Sequence, residues 1–310
     1  MSNAFPPSGA ANESDRTGAV LSLDAPAKKA IVEAKATCPF IGGAISDGAL
    51  AVRNSTAKPM ASLDDVRQLG NAGGGDLGDL LVLFAAGNHA HMRDHTGAIT
   101  DTAPLGLFFL DFPRSQGSHA GHSGILQGDP KVRDSGRLSR EHLTRLTQHA
   151  TDGWLKRSSV GHFIAENLIN DPNAQVFGAN VAKLLAKDLT EFGNTIGPFW
   201  SKRLFGSDAE LAAAHRDADE KLTKLLGEDH LLGAAGEFGL LFAFFAKRPG
   251  AQDIDGEPAI SVRDIEWMFV DKHLPSGWEN WPKTRVDWVR HTVALAISAA
   301  GAYHKLKRTD

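Results

Sequence analysis

Residues 230–246, HLLGAAGEFGLLFAFFA, constrain this chain more than any other stretch. They read as a helix dense in Leu and Phe, with Gly and Ala at most remaining positions. Such a helix has little polar face to offer water and is expected to be buried. One acid, Glu237, sits in its middle. Burying a carboxylate charged is costly without partners. Glu237 therefore either occupies what polar face the helix has, or it has a chemical task. A carboxyl in apolar surroundings suits proton transfer near neutral pH. His230 lies seven residues earlier, two helical turns away, and so on the same face.

Helical patterning extends on both sides. Residues 39–50 read as a helix with small residues near its start. Ser62 is a plausible N-cap for a helix through Leu69, with Asp64 and Asp65 in its first turn. Further helices are expected over 77–86, 139–151, 158–169, 178–192, 208–227, 261–274 (with Ser261 as cap) and 284–305. Residues 93–106 read as a loop or small hairpin, and 107–112 (LFFLDF) as a strand or a helix turn. Tyr occurs once and alternating Val/Ile/Thr runs are absent, so strand signals are scarce. There is no internal repeat and no obvious linker. The expectation is an all-α fold: one helical domain over 25–310, preceded by a disordered segment over 1–24 whose Met1–Thr17 stretch is rich in Ser, Ala, Pro and Gly.

The bulk composition excludes several classes. A net charge of −4 argues against nucleic acid or an anionic membrane as main partner. No apolar run approaches the roughly 20 residues needed to span a bilayer, and the first residues lack an apolar signal core. The single cysteine, Cys38, cannot form an internal disulfide and fits a reducing compartment. A cytoplasmic location is expected.

Three groups of residues carry candidate chemistry besides Glu237. Gly73-Gly74-Gly75-Asp76-Leu77-Gly78 formally matches G-x-G-x-x-G, but the dinucleotide fingerprint needs a strand before it. SLDDVRQLG reads as helix, so a flexible helix–helix connection is the better reading. His89, His91, His119 and His122, with His95 nearby, have spacings found in zinc sites; histidines in glycine-rich loops are more often solvated. Cys38 precedes Pro39 at a helix start. Proline fits the first helical turn because its missing N–H would be unpaired there anyway. The start of a helix aims N–H groups and positive dipole density at what lies before it, a setting for a nucleophile or an iron ligand. A buried, inert cysteine is the plainer alternative.

Taken together, three separated segments resemble the chloroperoxidase-type haem-thiolate peroxidases, which include the fungal unspecific peroxygenases. Thr37-Cys38-Pro39, followed by a helix and Ala49-Leu50-Ala51-Val52-Arg53-Asn54, is similar to the family's P-C-P-x-L segment and the N-H-G-x-[LI]-P-[RH] stretch after it. His119-Ala120-Gly121-His122-Ser123 stands where the family has E-[HG]-D-x-S. Gly236-Glu237-Phe238-Gly239-Leu240-Leu241-Phe242-Ala243 is similar to the run E-S-G-F-I-F-A that holds the distal glutamate. Val262–Phe269 and Leu274-Pro275-Ser276-Gly277-Trp278 continue the likeness, which spans about Cys38 to Trp281.

The resemblance implies haem b between a proximal cysteine helix and a distal glutamate helix. Cys38 would be the iron ligand and Glu237 the acid/base acting on hydrogen peroxide, with a small organic substrate oxidised or oxygenated. The family's second segment holds a Mg or Mn ion against a haem propionate through its Glu and Ser. Here Ser123 matches the Ser but His119 replaces the Glu, and a hard cation prefers carboxylate oxygens. His119 would then donate to the propionate directly. The His that steadies the distal Glu in chloroperoxidase is Ala120 here. The peroxygenase Arg seven residues before the Glu is His230, which becomes the candidate partner of Glu237. Alternatives are a haem-thiolate binding or sensor protein with little peroxidase activity, a His-ligated non-haem metalloprotein, and a thiol hydrolase built on Cys38. Oligomeric state is left open.

Overall fold

The computed structural model describes residues 18–308 apart from 37, 90, 94–97, 105, 111–138, 171–173, 175, 177–229 and 246. The candidates Thr37, His119, Ser123 and the expected helices 178–192 and 208–227 lie outside the described residues.

The first helix among the described residues is α1 (Ala25–Lys35), capped by the Asp24 carboxylate, which accepts from the Ala27 N–H at 2.8 Å. Residues 19–21, within the segment expected to lack structure, run antiparallel to 52–54: Leu21 N–H donates to Val52 O and Asn54 N–H to Ala19 O. Then come α2 (Pro39–Ser46), β1 (Arg53–Asn54), β2 (Pro59–Ser62), α3 (Leu63–Asn71), a 3-10 turn at Ala72–Gly74, α4 (Gly78–His89), β3 (His91–Arg93), β4 (Ile99–Thr102) and β5 (Leu107–Phe109). The second half holds α5 (Arg140–Gln148), β6 (Trp154–Lys156), α6 (Arg157–Asn170), α7 (His230–Phe245), β7 (Gln252–Ile254), β8 (Glu257–Ser261), α8 (Val262–Phe269), a 3-10 turn at Trp278–Asn280 and α9 (Arg285–Leu306).

The expected all-α fold is not what forms. Among the described residues the fold is mixed, with nine α-helices and eight strands in three small sheets. The sheets have orders β1-β2-β5, β3-β4 and β6-β8-β7, every pairing antiparallel. The physical reason the strands escape a periodicity reading is visible in their burial. All four residues of β2 and all three of β5 are buried, as are the last three of β8. A strand covered on both faces does not alternate, and runs this short leave no period to detect. The 93–106 stretch contributes to the β3–β4 hairpin, and 107–109 forms a strand.

These strands deliver helices. β2 ends at Ser62, whose Oγ accepts from the Asp65 N–H at 3.4 Å and caps α3. β8 ends at Ser261, whose Oγ accepts from the Arg263 N–H at 3.2 Å and caps α8. Both caps satisfy N–H groups that have no partner inside the helix.

One hydrophobic cluster runs from Ile31 of α1 to Ala300 of α9. At its centre α7 packs on α9 and α6. Thirteen of the sixteen residues of α7 are buried, which is what its all-round apolar sequence demands. Among the described residues no helix is long and apolar enough to cross a membrane.

Candidate functional site

Cys38 is the N-cap residue of α2, with Pro39 at the first helical position. Its thiol is free and half-buried, packed against the main core, and makes no capping hydrogen bond to the helix it precedes. Every residue of α2 from Pro39 to Ile45 is buried, so the helix is fixed in place behind the sulfur.

The far end of α2 is clamped by the stretch after α8. The Asp47 carboxylate accepts from the Leu274 N–H at 2.8 Å and meets His273 Nδ1 at 2.5 Å. Gly43 permits the close approach: a Cβ there would stand 3.0 Å from the His273 carbonyl carbon. Lys272, just before, has a left-handed backbone (φ 58°) and an amine that is buried without a hydrogen-bond partner among the described residues. Burial pushes the Lys272 amine below its ordinary pKa, while the nearby Cys38 and Glu33 oppose that shift.

Glu237 lies in α7. Along that helix only His230, Glu237 and Leu240 are not fully buried, and they fall on one stripe. Phe244 continues the stripe two turns beyond Glu237, about 10 Å along the axis. Its ring centroid is 4.6 Å from that of Phe40, which in turn stands edge-on to Trp278 at 5.7 Å. Phe40 is two residues from Cys38. The face of α7 carrying Glu237 therefore leads, through Phe244 and Phe40, to the segment carrying Cys38.

The remaining faces of α7 serve packing. The Trp288 indole N–H donates to Gly236 O at 3.0 Å. Gly239 faces Thr292, and Phe242 stacks on His291 at 5.4 Å. Phe238 meets Phe163 of α6 edge-on. With these positions spent on α6 and α9, the Glu237 stripe is what the helix has left for chemistry.

The other candidates are described only in part. Gly73–Gly78 follows helix α3, and its glycines make room for protein: a Cβ at Gly75 would stand 2.3 Å from Lys283 O and one at Gly78 2.1 Å from Arg67 O. The turn is pinned rather than flexible. Asp76 N–H donates to Lys283 O, and the Asp76 carboxylate accepts from Arg285 N–H at 2.8 Å and Nε at 2.9 Å. His91 is buried with Nδ1 3.0 Å from Thr102 Oγ1 across the hairpin. His119 and His122 lie outside the described residues, and among the described residues no three His, Cys, Asp or Glu side chains form a metal-holding group.

Lys272 and Lys283 are the residues that sequence reasoning missed. Lys283 is fully buried, its ammonium donating to Trp278 O at 2.7 Å, Trp281 O at 2.8 Å and Ala72 O at 3.3 Å. Burial pushes its pKa down to about 8. A lysine ordinarily signals a solvated surface, and nothing local marks either one.

The chain matches no family model, and no curated protein or solved structure is similar to it at a significant level.

Proposed function

We propose that this chain is a haem-thiolate oxidoreductase that uses hydrogen peroxide to oxidise or oxygenate a small organic substrate. Cys38 would be the iron ligand, Glu237 the acid/base, and His230 the residue that positions Glu237. The reading rests on the residue likeness set out above. The observation that supports it best is the continuity from Glu237 through Phe244 and Phe40 to the Cys38 segment. Two sequence segments about two hundred residues apart, each needed by the chemistry, are thereby joined.

Cys38 is the residue that would hold a haem iron. Cys38 is uncommitted: half-buried, free, and not used as a helix cap. A thiolate-ligated haem supplies electron push that favours O–O cleavage. The chain supplies the proton path. Glu237 would take the proton from the peroxide oxygen that stays behind and give it to the other, which leaves as water, while a bound haem would accept the remaining oxygen and supply the two electrons of the O–O cleavage. Leu240 and Phe244 share the Glu237 stripe and would keep that side of the site apolar, which limits loss of the proton to bulk solvent. His119 and Ser123 would hold a propionate, with or without a Mg or Mn ion.

The test is an absorption spectrum of the haem-loaded protein, reduced and exposed to carbon monoxide. The red-shifted Soret band of thiolate ligation is expected, and Cys38→His should convert it to an imidazole-type band. A wild-type imidazole-type spectrum with stoichiometric haem would sink the Cys38 assignment.

A further inference from the structure

Helix α1 and the stretch from α8 to His273 leave a cleft of about 890 Å³ between them. That size falls in the range of roughly 300–1,000 Å³ typical of small-molecule sites. A second hollow of about 350 Å³ adjoins it, sharing Arg263, Val270 and Asp271 and adding Arg140 and Thr144.

The wall is rich in donors and poor in acceptors. Lys28, Lys29, Arg263 and Lys272 line the cleft, with Glu33 and Asp271 as its acids. Lys29 and Glu33 are paired at 3.7 Å, and the His273 ring is engaged by Asp47. Lys28 and Arg263 then face Asp271, and Lys272 has Glu33 and Cys38 nearby. Two lining residues, Trp267 and Lys272, also have donors with nothing to donate to: the indole Nε1–H and the ammonium are buried without a hydrogen-bond partner among the described residues. Leaving a buried donor unmade costs about 1–3 kcal/mol, more for a charge. Each of the two donors lacks the acceptor that buried donors ordinarily have. The left-handed backbone of Lys272 (φ 58°) adds strain that a lysine adopts only when its surroundings enforce it.

The rest of the wall is apolar. Val32, Val270 and the Trp267 ring supply it, and the Arg263 guanidinium stands 5.4 Å over that ring. We propose that this cleft binds a small organic carboxylate. Its apolar body lies against Val32, Val270 and Trp267, and Lys28 and the Arg263 fork receive its anionic head. A planar fork matches a carboxylate in a two-bond geometry. The Trp267 and Lys272 donors are buried beneath the wall surface and are reached only when side chains adjust on binding. The proposal needs no haem and stands independently of the oxidoreductase reading.

Isothermal titration calorimetry on the full chain tests it, with 2-naphthoate as probe and 2-naphthalenemethanol as its uncharged counterpart. The acid is expected to bind at least about tenfold more tightly than the alcohol. Arg263→Gln and Lys272→Met should each remove that preference, and Trp267→Phe should weaken the acid while keeping the ring. Arg263 is exposed, so Arg263→Gln reports even if Lys272→Met fails to fold. Equal binding of acid and alcohol, no heat with the acid at about 1 mM, or unchanged acid affinity in Arg263→Gln would overturn the proposal.

Discussion

Gly239 of α7 and Thr292 of α9 approach so closely that a Cβ on the glycine would lie 2.2 Å from the Thr292 Oγ1 and 3.1 Å from its Cα. The position two residues after Glu237 is therefore set by helix packing. Gly239→Ala should destabilise the fold by about 2 kcal/mol through overpacking, seen as a lower urea midpoint at unchanged slope. Thr292→Ala in the same chain should recover part of the loss, because the side-chain clash goes while the backbone approach remains. A Gly239→Ala protein of native stability would mean that α7 and α9 are not this close.

His291 stacks on Phe242 and is almost wholly buried. Burial pushes its imidazole from 6.5 to about 4; Arg157, Arg290 and Lys247 push the same way, and Asp287 opposes them. The folded protein keeps this ring neutral, while the unfolded chain takes up a proton below pH 6.5. Stability from this residue is therefore fully present above pH 6.5 and falls as pH drops towards 4. The full span is worth about 3 kcal/mol. Urea midpoints measured between pH 7 and 4 should show that decline, and His291→Leu should flatten it. A variant with the same slope as the parent would assign the acid sensitivity elsewhere.

Lys283 donates to three carbonyls, those of Trp278 and Trp281 in buried bonds and that of Ala72 in a part-buried one. Lys283→Met keeps most of the volume but strips those bonds, and should cost about 3 kcal/mol. The Trp278 and Trp281 environments should change with it, so near-ultraviolet circular dichroism ought to lose intensity before the helical signal does. A loss below about 0.5 kcal/mol would show that the carbonyls find other donors.

The proton-transfer role of Glu237 predicts a split between binding and turnover. Glu237→Gln should leave haem stoichiometry and the carbon monoxide spectrum as in the parent and slow peroxide consumption by about 10²–10⁴-fold. His230→Ala should lower turnover and shift its pH profile while leaving haem bound, which a purely structural role would not do. Unchanged peroxide consumption in Glu237→Gln removes it as the acid/base.

Local signals were the legible part of this molecule. The Ser62 and Ser261 caps and the Pro39 helix start are each a short-range event, and the structure has them where the residues imply. The apolar helix around Glu237 announced its own burial. The strands were not legible, because β2 and β8 each need a partner far away in sequence besides a near neighbour, and the buried runs of four and three residues they contain carry no alternation. At the candidate site, Cys38 and Glu237 could be picked out one at a time. The ring contact of Phe40 with Phe244 that relates them, and the turn that buries Lys272 behind α2, depend on tertiary packing that no local window encodes.

The hydrogen bond from Lys283 to Ala72 joins positions 211 residues apart, and Arg285 holds Asp76 beside it. Loops that long are slow to close, since their entropy is lost before the contact forms. On the ribosome, the turn after α3 must wait for nearly the whole chain to emerge before its partners exist. Until then the turn lacks the bonds that pin it, although α3 and α4 already have each other, β2 and β5 to pack on. Ending the chain before Lys283 would therefore do more than trim an end; it would unfasten a turn in the first third of the protein.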